Sequence, residues 1–149
     1  MLIGEICTRK VIIVKRQDSI CDAASLMRTY HVGDVVVVEQ KNEQIKPVGI
    51  LTDRDIVIEL VAKNIPLDSV SVEDVMSTEL FVTQESCELW EAIKLMQVKG
   101  IKRIIVVNDK GELVGIISTD DLFELLSAEL LDLAKVVIKG QHREEEIRE

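Results

Sequence analysis

The chain repeats itself. Shifting the sequence by 69 positions lays Ile6–Val38 over Val75–Val107. Ala23 then falls on Ala92, Leu26 on Leu95, Met27 on Met96, and Val37-Val38 on Val106-Val107. After a three-residue slip in a polar loop, Val48-Gly49-Ile50 falls on Val114-Gly115-Ile116, and Asp55 on Asp121. A duplication constrains the fold more than any single motif, because both copies must form the same elements and bury the same faces.

Each copy reads β-α-β-β-α. A short apolar strand opens it, over Val11–Val14 and Leu80–Thr83. An amphipathic helix follows, near Ser19–Tyr30 and Glu88–Lys99, with Ile20, Ala23 and Met27 or Leu89, Ala92 and Met96 at helical spacing. Next come runs without alternation, VVVVE and RIIVVN, which read as strands buried on both faces. A turn leads to a third strand carrying Val-Gly-Ile, and a closing helix starts after Thr52 or Ser118. Ser71-Val72-Glu73-Asp74 resembles a capping box opening a short helix over Val72–Met76, with Gly4–Cys7 as its counterpart. The expected class is α+β: two repeats, 1–64 and 72–137, joined by a linker over 65–71. Neither copy can bury its helix face and two-sided strands alone, so the two should face each other about a pseudo-twofold axis. The last helix continues through LLSAELLDLAKVVI, longer than its counterpart, and is expected to pack on something else. Residues 138–149 read as a charged, flexible tail.

Bulk composition narrows the function. The 149 residues are 47% hydrophobic but only 3% aromatic, which suits a globular, aliphatic core. A formal net charge of −9 disfavours non-specific binding to nucleic acid or anionic membrane. The apolar runs fall far short of the roughly 20 residues that span a bilayer. With no signal-type segment at the N-terminus, the expectation is a soluble, cytoplasmic protein. Three separated cysteines, Cys7, Cys21 and Cys87, make neither a disulfide framework nor a zinc site. His31 and His142 are isolated; His31 reads as a helix C-terminal residue favoured by the dipole. No residues assemble an acid, a base and a nucleophile, so a non-enzyme is expected.

VGILTDRDI (Val48–Ile56) and VGIISTDDL (Val114–Leu122) carry the chemistry. A strand ends, a hydroxyl follows, and an Asp stands three residues on. In the bland use, Thr52 and Ser118 are helix N-caps and the Asp completes a box. In the functional use, helix N–H groups and the hydroxyl face a phosphate, while Asp55 or Asp121 accepts from vicinal sugar hydroxyls. Gly49 and Gly115 would let a ligand or a facing strand come close.

The duplicated pattern, the VVVV and IIVV strands and the two Gly-apolar-any-hydroxyl-any-any-Asp endings resemble a tandem pair of CBS domains, the Bateman module. Glu73-Asp74-Val75-Met76-Ser77 is similar to the family's usual opening. The resemblance covers about Ile3 to Leu126. It implies a regulatory module that binds adenosine compounds (AMP, ADP, ATP or S-adenosylmethionine) in clefts between the repeats, as a regulatory ligand rather than a required cofactor. Carried over by position, Asp55 and Asp121 hold ribose hydroxyls, and Thr52 and Ser118 contact phosphate or sugar. Lys102 and Arg103 stand where some members place phosphate partners; repeat one has Gly33 and Asp34 there. Arg54 is a further phosphate candidate, and the three cations would focus a field on an anion. Ile12, Ile20, Val82 and Leu89 could wall an adenine slot.

The leading expectation is an energy-sensing homodimer that signals a bound nucleotide to a protein partner by a change of conformation. The rival is an adaptor for dimerisation with vestigial sites, whose motifs serve only as caps. No metal site is expected.

Overall fold

A computed structural model describes residues 1–148, which divide into two units, residues 1–117 and the segment from Ser118 onward. In chain order the elements are α1 (Ile3–Ile6), β1 (Ile13–Val14), α2 (Ile20–Tyr30), β2 (Asp34–Lys41) and β3 (Gln44–Thr52). There follow α3 (Asp53–Ile56), a π-helical turn over Val57–Val61 and a 3-10 turn over Leu67–Ser69. Then come α4 (Val72–Val75), β4 (Val82–Gln84), α5 (Leu89–Lys99), β5 (Arg103–Val107), β6 (Leu113–Ser118) and α6 (Thr119–Ile147). This is the α+β class expected from the duplication.

The strands form two three-stranded sheets, ordered β1-β2-β3 and β4-β5-β6. β1 runs parallel to β2, and β4 parallel to β5, each through a helical crossover. β2 and β3 form an antiparallel hairpin. Lys41 pairs with Gln44, leaving Asn42 and Glu43 (φ 52° and 65°) as a two-residue turn of the left-handed kind that matches strand twist. The register slips between Val37 and Val38, so that Val37 faces Gly49 and Val38 faces Pro47. A bulge there accommodates a proline that cannot donate to the ladder.

The unbroken valine run makes sense in this setting. Val35 and Val37 enter a core with Ile20, Ala23, Met27, Leu51 and Leu60. Val36 and Val38 alternate to the other face and pack with Ile105 and Val107 of β5. Both faces of β2 and β5 are therefore buried, and β-branched side chains fill them well. The opening strands are shorter than the sequence reading; Val11 and Leu80 lie outside them and pack against that second cluster.

The helix ends also repeat. α2 is capped by Ser19, whose hydroxyl accepts from Asp22 N–H at 3.0 Å, and α5 by Glu88. α2 ends on His31 and α5 on the equivalent Gly100, both left-handed (φ 54° and 65°). His31 thus closes its helix by backbone geometry rather than by its charge alone. A left-handed non-glycine residue costs roughly 1–2 kcal/mol. His31→Gly is expected to raise the melting temperature by a few degrees, as checked by calorimetry.

The opening segment of each repeat docks on the other one. Ile3 N–H donates to Cys87 O and Gly4 N–H to Glu85 O, both at 2.8 Å, and Thr8 bridges Ile116. Correspondingly, Val72 N–H donates to Asp18 O and Glu73 N–H to Arg16 O, while Ser77 bridges Ile50. Val70, Val72, Val75 and Met76 pack in the core of the first sheet. The exchange ties each copy to the other through backbone hydrogen bonds and buried apolar surface.

In the second unit, α6 is one continuous helix through Ile147, including the stretch that reads from sequence as a flexible tail. No proline interrupts it, and Arg148 pairs with Glu144 one turn back at 2.8 Å. Such pairs stabilise a polar helix end by about 0.2–0.5 kcal/mol each.

Candidate functional site

β3 delivers Thr52 to the start of α3, where the extended backbone (ψ 159°) gives way to helix. The Thr52 hydroxyl accepts from Asp55 N–H at 3.0 Å, and Asp55 Oδ2 accepts from Thr52 N–H at 2.9 Å. The second copy repeats the box in its own unit. Ser118 Oγ accepts from Asp121 N–H at 3.2 Å, and Asp121 Oδ2 accepts from Ser118 N–H at 2.8 Å. In both boxes only Oδ2 is used; Oδ1 of Asp55 and of Asp121 takes no hydrogen bond among the described residues. Each corner therefore holds a rigid, half-buried carboxylate with an acceptor to spare.

The glycines of the motif answer to the protein itself. A Cβ on Gly49 would lie 2.6 Å from Met76 Sδ and 3.1 Å from Ser77 O; one on Gly115 would lie 2.5 Å from Cys7 Sγ and 3.1 Å from Thr8 O. Met76 and Cys7 are equivalent under the repeat. Of the two uses open to these glycines, the facing backbone of the exchanged opening segment is the one the fold makes. Burial pushes the Cys7 thiol above its ordinary pKa, partly offset by Arg9, so Cys7 is a packed neutral thiol.

Near Thr52 the cations and anions are already matched. Asp34 lies directly across the ladder from Thr52, and Arg103 at the start of β5 forms an ion pair with Asp34. Asp53 Oδ2 comes within 3.3 Å of where a Gly33 side chain would begin, and Arg103 Nη2 within 3.5 Å. The expected Lys102–Arg103–Arg54 field is thus weakened, because the guanidinium of Arg103 faces carboxylates. Lys102 and Arg54 are exposed. Asp34 occupies the position of Arg103 under the 69-residue shift, so the two equivalent positions carry opposite charges.

A cavity of about 290 Å³ is lined by Asp55, Glu59, Leu60, Ile65, Val70, Asp74, Val75 and Ser77. Its apolar walls suit a ring, but its three carboxylates repel phosphate. Of the residues expected to wall an adenine slot, Ile20 (0% exposed) and Leu89 (4%) are buried in the core. Each opens its helix just after the N-cap, where the inward face begins. Ile12 is half-buried and Val82 exposed. Among the described residues no cluster could hold a metal ion, and no helix is long and apolar enough to cross a membrane.

Known proteins share this design. The CBS domain model matches the chain twice, over residues 3–62 and 72–128. An uncharacterized protein of Methanopyrus kandleri is 37% identical over 123 residues, 83% of this chain and 61% of its own length. The chain thus spans about three-fifths of that relative. A CBS domain-containing protein of Bacillus subtilis is 38% identical over 115 residues, 77% of this chain and 78% of its own. Among solved structures, a CBS domain protein from Pyrobaculum aerophilum, complexed with AMP, superposes with a TM-score of 0.75 at 28% identity, covering 91% of this chain and 99% of that one. Two matches in tandem, on repeats that exchange their opening segments and end on the same hydroxyl–carboxylate corner, place the chain in the CBS-domain family as a tandem pair.

Proposed function

We propose that the chain is a non-catalytic regulatory module whose two repeats, 1–64 and 72–137 about the 65–71 linker, bind adenosine-containing ligands at their motif corners. The observation that carries this reading is the duplicated carboxylate, held by its own cap with Oδ1 left to accept. A ribose diol supplies two donors to such a carboxylate. The AMP bound by the Pyrobaculum relative supports the same ligand class. Asp55 and Asp121 take the ribose, Thr52 and Ser118 the sugar or phosphate edge, and Lys102, Arg103 and Arg54 the phosphate. A bound ligand signals, in a cytoplasmic homodimer, by favouring the arrangement it binds more tightly.

Titration with AMP, ATP and S-adenosylmethionine tests this by thermal shift. Ligand at a hundred times its Kd adds about 2.7 kcal/mol, which is roughly 5–10 °C for a chain of this size. No shift with any of the three overturns the reading. The Asp34–Arg103 pair makes a finer prediction. Asp34→Asn removes a negative charge that competes with phosphate for Arg103. AMP should then bind about three- to tenfold tighter, a gain of up to about 1.4 kcal/mol, while adenosine is unchanged by calorimetric titration.

The adaptor reading has one observation in its favour: both hydroxyl–Asp boxes are complete without any ligand. It predicts that Asp55→Ala and Asp121→Ala change stability alone.

A further inference from the structure

α6 carries a face that its own chain leaves open. Phe123, Leu130, Leu133 and Val137 are 70%, 67%, 64% and 62% exposed. With Leu126 and Gly140 they occupy alternate three- and four-residue steps, the a and d positions of three heptads. No full charge occupies an a or d position of this stretch, and Asp120, Glu129 and Arg143 flank it at e and g. Gly140 is otherwise unexplained: it is helical, a Cβ there would meet nothing within 4 Å, and glycine inside a helix costs about 1 kcal/mol relative to alanine.

Two features of the face name its occupant and its direction. Between Asp120 and Asp132 every full charge on α6 is negative; between Lys135 and Arg143 every one is positive. An antiparallel second α6 lays the acidic half along the basic half, whereas a parallel one sets like against like. Shape agrees. With the axis between Leu131 and Asp132, the layers become Phe123 on Gly140, Leu126 on Val137, and Leu130 on Leu133, each occurring twice. The largest side chain meets the missing one at both ends. In parallel register Phe123 would meet Phe123, Gly140 would leave a void, and the next core position would set Glu144 against Glu144.

We infer that α6 pairs with α6 of a second copy of this chain as an antiparallel coiled coil in this register. The inference is independent of the ligand proposal, since no residue of either motif box lies in its layers.

Disulfide trapping of the full chain tests it, in a Cys21→Ser/Cys87→Ser background. Leu126→Cys and Val137→Cys proteins, mixed and oxidised, should yield at least tenfold more covalent dimer than either alone. The two Leu126 positions are 11 residues apart along the antiparallel pair, about 16 Å. Adding Leu130→Glu/Leu133→Glu should cut the mixed product at least tenfold with helix content by circular dichroism unchanged, because both side chains are exposed in the single chain. Efficient Leu126→Cys self-trapping, which reports parallel pairing, overturns the inference. So does absence of the mixed product, which leaves the face to another partner, or indifference to the Glu pair. Thermal shift with AMP is read separately and fails or succeeds on its own.

Discussion

Gly115→Ala is expected to cost about 1–3 kcal/mol, and Gly115→Val about 3 kcal/mol or more, read as a lower denaturant midpoint at unchanged m. The cause is local. The new Cβ would stand 2.5 Å from Cys7 Sγ and 3.1 Å from Thr8 O, and Thr8 exchanges backbone hydrogen bonds of 2.9 and 3.0 Å with Ile116. The thiol can be removed but the carbonyl cannot move without breaking the bridge. Cys7→Ala should therefore recover part of the loss, with a coupling of about 0.5–3 kcal/mol in the double-mutant cycle. Gly49→Ala should behave alike against Met76, but more mildly. The atom it would meet at 2.6 Å is the thioether sulfur of a flexible, unbranched side chain. Equal losses at both glycines, with no recovery by Cys7→Ala, would show that the exchanged segments are not what makes glycine necessary.

Asp55→Ala and Asp121→Ala are expected to weaken adenosine-ligand binding by about tenfold to a hundredfold at their own corners. A hydrogen bond to a charged group is worth about 1.5–3 kcal/mol. Each variant also loses its cap, about 1 kcal/mol of stability. The readout is therefore the ligand-induced increment in melting temperature, not the melting temperature of the free protein. Thr52→Ala and Ser118→Ala open the same boxes and remove a sugar or phosphate contact but keep the carboxylate, so they should lower stability and reduce the increment less than the Asp variants do. If all four variants keep the increment, the ligand binds elsewhere and the carboxylates are not the ribose sites; the adaptor reading requires that no increment be seen in the unaltered protein either. The double variant Asp55→Ala/Asp121→Ala should abolish the shift altogether.

Much of the architecture was legible in the chain because the code was written twice. The 69-residue shift set the element order, Ser19 and Glu88 marked helix starts, and Thr52-Asp55 and Ser118-Asp121 marked corners whose boxes formed as spaced. These are local rules, in which the hydrogen-bonding partners lie within one turn. Where partners lie far apart in sequence, reading residue by residue says less. Helical periodicity gives Ile20 and Leu89 a face, not what covers it. Arg103 looked like a free cation because its partner, Asp34, sits on the other repeat's strand. At the charged end of α6, composition says little about helix continuity, which the absence of proline and an i,i+4 pair allow.

By itself, then, the sequence determined the duplication, the two-sided burial of β2 and β5, and the paired hydroxyl–carboxylate corners, since all three follow from periodicity and short-range capping. Only the tertiary structure decided what the motif glycines are for and which repeat each opening segment joins. Both depend on close approach between residues 27 and 108 positions apart, namely Gly49 against Met76 and Gly115 against Cys7. Such proximity is a property of packing, in which buried donors must find acceptors wherever the chain brings them.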